Sequence, residues 1–158
     1  MSVQKLLLDY LTQVEYMVTQ DVENSSDEIF EQNLGGSARP ATNYMTEAGF
    51  FCSYTARYIK DPENTEFLKA GPQPDKTEAG TKRKSNIFLI KGFKDLRRAI
   101  ESMTDEELSE PITAPWLQQI TKSHLVMHAL GHANYHLGQL AMTQLIQGDQ
   151  NLYWIKQQ

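Results

Sequence analysis

The residues best suited to chemistry are four histidines that recur at every fourth position near the C-terminal end. His124, His128, His132 and His136 are all the histidines of the chain. In an α-helix, a step of four residues advances about 40° around the axis and about 6 Å along it. Neighbouring imidazoles therefore face the same way, and their ring nitrogens can meet at one metal ion. The spacing predicts that an adjacent pair, or three histidines under strain, share an ion.

Two histidines on one helix do not complete a metal site. A catalytic zinc ion usually takes three protein ligands and one water. The remaining ligand therefore has to come from another helix, as it does in metal sites of helical bundles. Histidines also occur at surfaces, or in cores with hydrogen-bond partners, without any metal. The spacing alone therefore does not decide whether the four histidines bind a metal or have only a structural role.

The spacing of apolar residues predicts four main helices, and no segment shows the alternation of a strand. The predicted helices cover residues 3–18, 40 or 41 to 60, 86–103, and a last helix that starts between 116 and 123 and ends at 147. A long polar connection, residues 61–84, joins the second helix to the third. Thr104 and Glu107 fit a capping box at the start of a further short helix. The sequence thus predicts an all-α fold with residues 1–158 in one domain.

The same periodicity predicts which face of each helix is buried. The expected core residues are Tyr44, Ala48, Phe51, Cys52, Thr55 and Ile59 on the second helix, Ile87, Ile90, Phe93, Leu96 or the aliphatic part of Arg97, and Ile100 on the third, and Val126, Met127, Leu130, Ala133, Leu137, Leu140, Ala141 and Leu145 on the last. Gly138 is expected to allow a close approach between helices, because glycine has no side chain. Gln139 is expected to form a hydrogen bond with another helix.

The bulk composition is typical of a soluble, cytoplasmic protein. A net charge of −5 gives no general attraction to nucleic acid or to anionic membranes. Cys52 is the single cysteine, which excludes an internal disulfide and suits a reducing compartment. No stretch approaches the roughly 20 apolar residues that span a bilayer. Residues 76–98 are locally basic, and we interpret them as a solvent-exposed face in preference to a phosphate or nucleic-acid contact.

One stretch of the last helix resembles a known family motif. The sequence from His128 to Leu140, HALGHANYHLGQL, is similar to the closing motif of the DinB/YfiT-like superfamily, in which the final helix carries H-x3-H-x-G-Q-[LI]. The order of the preceding segments also resembles this superfamily, with a long crossover connection and a tryptophan shortly before the last helix. The resemblance implies a four-helix bundle with a long crossover.

The resemblance also implies a divalent metal ion, zinc, nickel or iron, held by three histidines. The motif supplies two of them, His132 and His136, and the second helix usually supplies the third. His128 matches a histidine that is often present one turn earlier. Some members of this superfamily are transferases that use a low-molecular-weight thiol, and this activity is the expectation that the resemblance carries.

The chain departs from the family pattern on its second helix, because no histidine precedes His124. If Glu47 corresponds to the glutamate often found one turn before the usual ligand, the ligand position itself falls on Phe51. Three alternatives remain open. His128 could be the third ligand, or the second helix could supply Glu47, Cys52 or Asn43, since thiolate and carboxylate both bind zinc. The third alternative is that the metal has been lost.

These observations leave three hypotheses for function. The first is a metal-dependent enzyme in which His132 and His136 hold the ion and Glu47 or His128 transfers a proton. The second is a non-catalytic bundle that binds a small molecule or a protein partner in the same cleft. The third is a nucleic-acid-binding regulator, which the negative net charge disfavours. A homodimer formed through one face of the bundle is a further expectation.

Overall fold

The computed structural model describes residues 1–63 and 80–155, and these residues are mostly helical. In chain order the elements are α1 (Val3–Asn24), α2 (Asp27–Glu31), α3 (Ala41–Tyr58), α4 (Lys82–Glu101), α5 (Asp105–Ser109), β1 (Pro111–Thr113), β2 (Gln119–Thr121) and α6 (Lys122–Ile146). The predicted helical class is confirmed. Residues 64–79 of the predicted connection lie outside the described residues. None of the helices in the described ranges is both long and apolar enough to cross a membrane.

Helix α3 runs parallel to α4 and antiparallel to α6. Near the starts of α3 and α4, the hydroxyl groups of Thr46 and Ser85 form a hydrogen bond of 2.9 Å. Towards the ends of the same two helices, Ser53 donates to Asp95. On the other side of α3, the Tyr44 hydroxyl lies 3.5 Å from Oγ1 of Thr143, close to the end of α6. The beginning of α3 therefore lies beside the end of α6.

Helix α1 completes the arrangement by packing against α4 and α6. Gln4 at its beginning donates to the carbonyl of Ile100 at the end of α4, so α1 and α4 are antiparallel. Ser25, just after the end of α1, accepts a hydrogen bond from Gln144 at the end of α6. Each long helix thus has two long neighbours, and the extensive contacts follow the order α1, α4, α3, α6 and back to α1.

The backbones of α3 and α4 meet at two glycines. A Cβ atom built on Gly92 would lie 2.2 Å from the carbonyl oxygen of Gly49, and one built on Gly49 would lie 2.5 Å from the carbonyl oxygen of Phe88. No side chain fits at either position without separation of the helices. The close approach that we expected at Gly138 occurs here instead, since nothing lies within 4 Å of a Cβ built on Gly138.

The predicted core faces are wrong on part of α4. Ile87 and Ile90 are 58% and 43% exposed, whereas Leu89, Gly92 and Phe93 face the core. The helix begins at Lys82, earlier than predicted, and its Gly92 contact with α3 turns the Leu89 side inwards. Sequence periodicity allows either face, because apolar residues occur on both.

The predicted core face of α6 is also wrong at two positions. Met127 and Leu145 are 51% and 56% exposed, although Leu130, Leu137 and Leu140 are buried as expected. Apolar residues surround α6 on more than one side, so their spacing does not single out one buried face. The outer side of this helix is therefore unusually apolar.

A β-hairpin between α5 and α6 was not predicted. Pro111–Thr113 pairs antiparallel with Gln119–Thr121, with Ile112 opposite Ile120. Three residues per strand are too few for alternation to be visible in the sequence. The Tyr58 hydroxyl donates to the carbonyl of Thr113 over 2.6 Å and ties the hairpin to the end of α3. The predicted capping box at Thr104 and Glu107 is present and starts α5.

Candidate metal centre

Two helices bring together three side chains that can ligate a metal. His132 and His136 lie one turn apart on α6, and Glu47 faces them from the antiparallel helix α3. The Nε2 atoms of the two histidines are 3.1 Å apart. Oε1 of Glu47 lies 3.6 Å from Nε2 of His132 and 3.9 Å from Nε2 of His136. This Glu47–His132–His136 cluster therefore has one potential ligand atom on each residue, all within 4.8 Å of one another.

The spacing of these atoms fits a metal ion. A tetrahedral ion about 2.0–2.1 Å from its nitrogen and oxygen ligands holds them about 3.3 Å from one another. The three observed separations, 3.1, 3.6 and 3.9 Å, lie close to this value. Two histidines and one glutamate are also a known ligand set of catalytic zinc sites, with a fourth position left for water or substrate. The cluster thus satisfies both the distance and the donor requirements of a divalent ion.

A residue on the same helix orients the imidazole of His136. Nδ1 of His136 lies 2.6 Å from Oε1 of Gln139, and the Gln139 amide donates in turn to the Tyr135 hydroxyl. Because an amide oxygen only accepts, these partners assign the proton of His136 to Nδ1. The Nε2 lone pair is then directed at the cluster. Such partners commonly fix the tautomer of a metal-binding histidine.

Gln139 therefore bonds within α6, and the expectation that it would reach another helix is wrong. His136 and Gln139 are three residues apart, and residues three apart lie on the same side of a helix. The spacing in the sequence was sufficient to predict this contact.

Burial keeps both histidines neutral at pH 7. The side chain of His136 is 1% exposed, and that of His132 is 24% exposed. Burial is the main cause that lowers the pKa of His132 to about 4, the charge of His136 lowers it further, and the carboxylate of Glu47 opposes this. Burial likewise lowers the pKa of His136, against the hydrogen bond to Gln139. Both imidazoles therefore offer a lone pair without losing a proton at neutral pH.

Arg39 holds the second oxygen of Glu47. Its guanidinium forms a salt bridge with Oε2 of Glu47 and donates to the side chain of Asn43. The carboxylate therefore has one oxygen directed at the histidines and one directed at a cation. Arg39 lies in the segment before α3, eight residues from Glu47, and no motif in the sequence marked it. The charge of the guanidinium offsets that of the carboxylate beside the cluster.

Aromatic side chains surround the two imidazoles. The ring of Tyr44 stacks on His136 with centroids 5.4 Å apart, and Phe51 meets His132 edge-on at 5.0 Å. Phe51 occupies the position where the family resemblance places a ligand, and it contributes an apolar wall there. An open cavity of about 450 Å³ adjoins His132 on the outer side of α6. Aromatic rings thus pack against both imidazoles, and of the three cluster residues His132 borders the cavity.

The other candidate residues lie outside the cluster. His128 and His124 line the adjoining cavity, and the His128 ring packs against Trp116 of the hairpin with centroids 4.6 Å apart. Cys52 is fully buried in the core, and burial raises the pKa of its thiol to about 12, so it packs as an apolar side chain. Asn43 accepts from Arg39. Of the open alternatives for the third ligand, the structure brings Glu47 to the histidine pair.

The lowered pKa of His132 predicts a pH dependence of folding stability. In the unfolded chain this imidazole takes up a proton near pH 6.5, whereas the folded protein resists protonation until about pH 4. Stability of the metal-free protein is therefore expected to fall as the pH decreases from 6.5 to 4. In His132→Gln, which cannot be protonated, the fall should be smaller by at most about 3 kcal/mol. Urea denaturation at a series of pH values measures the difference.

Two comparisons control this experiment. Asp21, whose pKa is raised to about 6, titrates in the same range, but it is present in both proteins and does not affect their difference. His124→Gln removes an exposed histidine from the same helix and serves as the matched variant. Equal flattening of the pH profile by His124→Gln and His132→Gln would contradict the assignment to His132.

A comparison with models of known protein families gave no match, and a comparison with curated protein sequences gave no significant match. The case for function therefore depends on the geometry of the Glu47–His132–His136 cluster and on the motif in α6.

Proposed function

We propose that this chain is a DinB-like four-helix bundle that binds a divalent metal ion through Glu47, His132 and His136. The closed order of neighbours formed by α1, α4, α3 and α6 supports the bundle. The parallel direction of α3 and α4 supports the crossover, since these two consecutive long helices begin at the same end of the arrangement. The observation that carries the metal site is the convergence of three ligand atoms from two helices.

The chemistry that we propose is transfer to or from a low-molecular-weight thiol. A divalent ion acts as a Lewis acid and lowers the pKa of water or of a thiol enough to generate a nucleophile at neutral pH. The residues of the chain supply the rest of the site. His132 and His136 present neutral imidazoles, and Glu47 contributes a carboxylate whose other oxygen is held by Arg39.

The cavity beside His132 is the proposed binding place of the substrate. His128 lines it and is a candidate for proton transfer, since its ring packs against Trp116 and Phe51 without joining the cluster. The hydroxyl-bearing ring of Tyr135 borders the same cavity. Phe51 excludes water from the α3 side of His132. A substrate with an apolar or aromatic portion suits these walls.

A non-catalytic bundle is the second candidate, and the side-chain pairings of the cluster favour it. The two Nε2 atoms lie at hydrogen-bond distance from each other, and Glu47 already has a cationic partner in Arg39. These side chains therefore pair with one another without an ion, although Nδ1 of His132 is buried without a hydrogen-bond partner. In this alternative, a small molecule binds in the cavity beside His132 and no reaction follows.

Cobalt(II) titration distinguishes the two candidates. We expect the metal-free protein to bind one equivalent of Co²⁺, and the visible absorption to indicate a low coordination number with an open position. Addition of 2-mercaptoethanol to the loaded protein should then produce a thiolate-to-cobalt charge-transfer band. The double variant His132→Ala/His136→Ala should produce neither signal.

Two results would count against the proposal. If wild-type protein and the double variant both fail to bind Co²⁺ under metal-replete conditions, the proposed metal site is wrong. If Co²⁺ binds to the wild-type protein but 2-mercaptoethanol leaves its spectrum unchanged, the metal site stands and the thiol chemistry does not.

A further inference from the structure

A second cavity, of about 270 Å³, lies between the C-terminal halves of α3 and α4. Its rim carries four cationic side chains, Arg57, Lys60, Lys91 and Arg98, and one carboxylate, Asp95. We call this set the basic pocket. It shares no residue with the Glu47–His132–His136 cluster, and the metal proposal does not account for it.

The concave shape of the basic pocket follows from the residues at its base. Ala56 and Ala99 are buried, with 5% and 2% of their surface exposed, and they end in a methyl group. They lie about two turns beyond the contact between Gly49 and Gly92, where the two helices touch. Small side chains at the base and long cations at the rim leave a recess with positive walls.

The only carboxylate of the pocket is already paired. Asp95 forms a salt bridge with Lys91 and accepts a hydrogen bond from Ser53. Burial raises the pKa of this carboxyl, but its bonds to Lys91 and Ser53 and the charges of Lys91 and Arg57 outweigh burial and lower the pKa overall. Asp95 is therefore ionised at neutral pH and neutralises one cation.

The remaining three cations have no such partner. Within residues 1–63 and 80–155, the side chains of Arg57, Lys60 and Arg98 form no hydrogen bond or ion pair. Arg57 and Arg98 each lie in the last turn of a helix, where the helix dipole favours a positive charge. The dipole contribution is typically below about 1 kcal/mol at an exposed site, and it does not require the cations to line one recess.

We propose that the basic pocket binds the phosphate group of a small anionic ligand. Two guanidinium groups can each present paired N–H donors to phosphate oxygens, which is the geometry that arginine offers and lysine does not. Lys60 adds a third positive charge. A recess of about 270 Å³ accommodates a phosphate and a short attached group. The net charge of −5 opposes a long polyanion, which would have to lie along the acidic remainder of the surface.

Isothermal titration of the metal-free protein with inorganic diphosphate tests the proposal. Arg57→Gln/Arg98→Gln removes two positive charges from the pocket, and both side chains are exposed, so folding should not depend on them. Arg83→Gln/Lys94→Gln removes two charges from exposed positions of α4 outside the pocket. We expect the pocket variant to bind diphosphate at least about 10-fold more weakly than wild-type protein, and the control variant to stay within about twofold of it.

Further titrations identify the source of the phosphate. Inorganic phosphate stands for a free anion and glycerol phosphate for an ester. Binding of either, with the same dependence on the two arginines, supports the proposal. The variant His132→Ala/His136→Ala should bind diphosphate like wild-type protein. The phosphate proposal and the metal proposal can therefore be tested independently of each other.

Three outcomes would overturn the proposal. The first is absence of diphosphate binding by wild-type protein at millimolar concentration, which would leave the arginines with only their role at the helix ends. The second is an equal loss of affinity in both double variants, which would indicate a response to net charge. The third is binding of a single-stranded oligonucleotide that depends on Arg57 and Arg98 when diphosphate does not bind.

Discussion

Zinc binding by the Glu47→Gln variant is expected to be at least about 100-fold weaker than binding by the wild-type protein. The substitution keeps the size of the side chain and removes the anionic oxygen that lies 3.6 Å and 3.9 Å from the two Nε2 atoms. Loss of a residue that only orients a ligand typically costs 10–100-fold in metal affinity, so loss of a ligand should cost at least the upper value. Competition with a chromophoric chelator at pH 7 measures the affinity.

The matched control is Glu101→Gln, which removes the same charge from an exposed position at the end of α4. It should bind zinc like wild-type protein. Equal affinity in Glu47→Gln and wild-type protein would show that Glu47 is not a zinc ligand. The comparison between the two glutamates therefore separates ligation from a general effect of charge.

The Gly92→Ala variant is expected to lose about 3 kcal/mol or more of its free energy of unfolding. Excess volume in a packed core usually costs 1–3 kcal/mol, and here the added methyl would lie 2.2 Å from the backbone carbonyl oxygen of Gly49. A carbonyl oxygen cannot rotate away as a side chain can, so α3 and α4 have to separate. Urea denaturation monitored by circular dichroism measures the change.

Gly138→Ala on α6 is expected to change the free energy of unfolding in the opposite direction. Apart from the adjoining residues and the nearby backbone of α6 itself, no atom lies within 4 Å of a Cβ built on Gly138. The methyl should therefore stabilise the helix by roughly 0.5–1 kcal/mol. If Gly92→Ala stabilises the protein as Gly138→Ala is expected to do, the contact between α3 and α4 is less close than the structure indicates.

Helix positions were predictable from the sequence because apolar spacing and capping are local signals. The capping box at Thr104, the helix over residues 41–58 and the last helix were found in this way. The inward faces were harder to predict. Ile87 and Ile90 are as apolar as Leu89, and only the contact at Gly92 decides which of them is buried. Contacts between helices are set by the fold and leave no periodic signal in one segment.

The residues of the candidate site likewise differ in whether a local sequence pattern could predict them. The spacing of four residues predicted that an adjacent pair of histidines would face the same way, and the resemblance in α6 selected His132 and His136. The structure places their Nε2 atoms 3.1 Å apart. Glu47 was one of several open alternatives, because no local pattern distinguishes a glutamate that faces a histidine pair from one that faces solvent. The salt bridge of Arg39 with Glu47 was not predictable, since Arg39 lies in an irregular segment without a periodic pattern. The sequence identified two candidate ligands on one helix, and the packing of α3 against α6 brings the third candidate, Glu47, to them.

The parallel packing of α3 and α4 has a kinetic consequence. The hydrogen bond from Ser85 to the carbonyl of Thr42 joins residues 43 positions apart, and a chain segment of this length must close before any contact of the interface forms. Interfaces with such high contact order slow folding relative to helical hairpins with short loops. The position of α3, and with it the position of Glu47 opposite the histidines, therefore depends on a long-range step of folding.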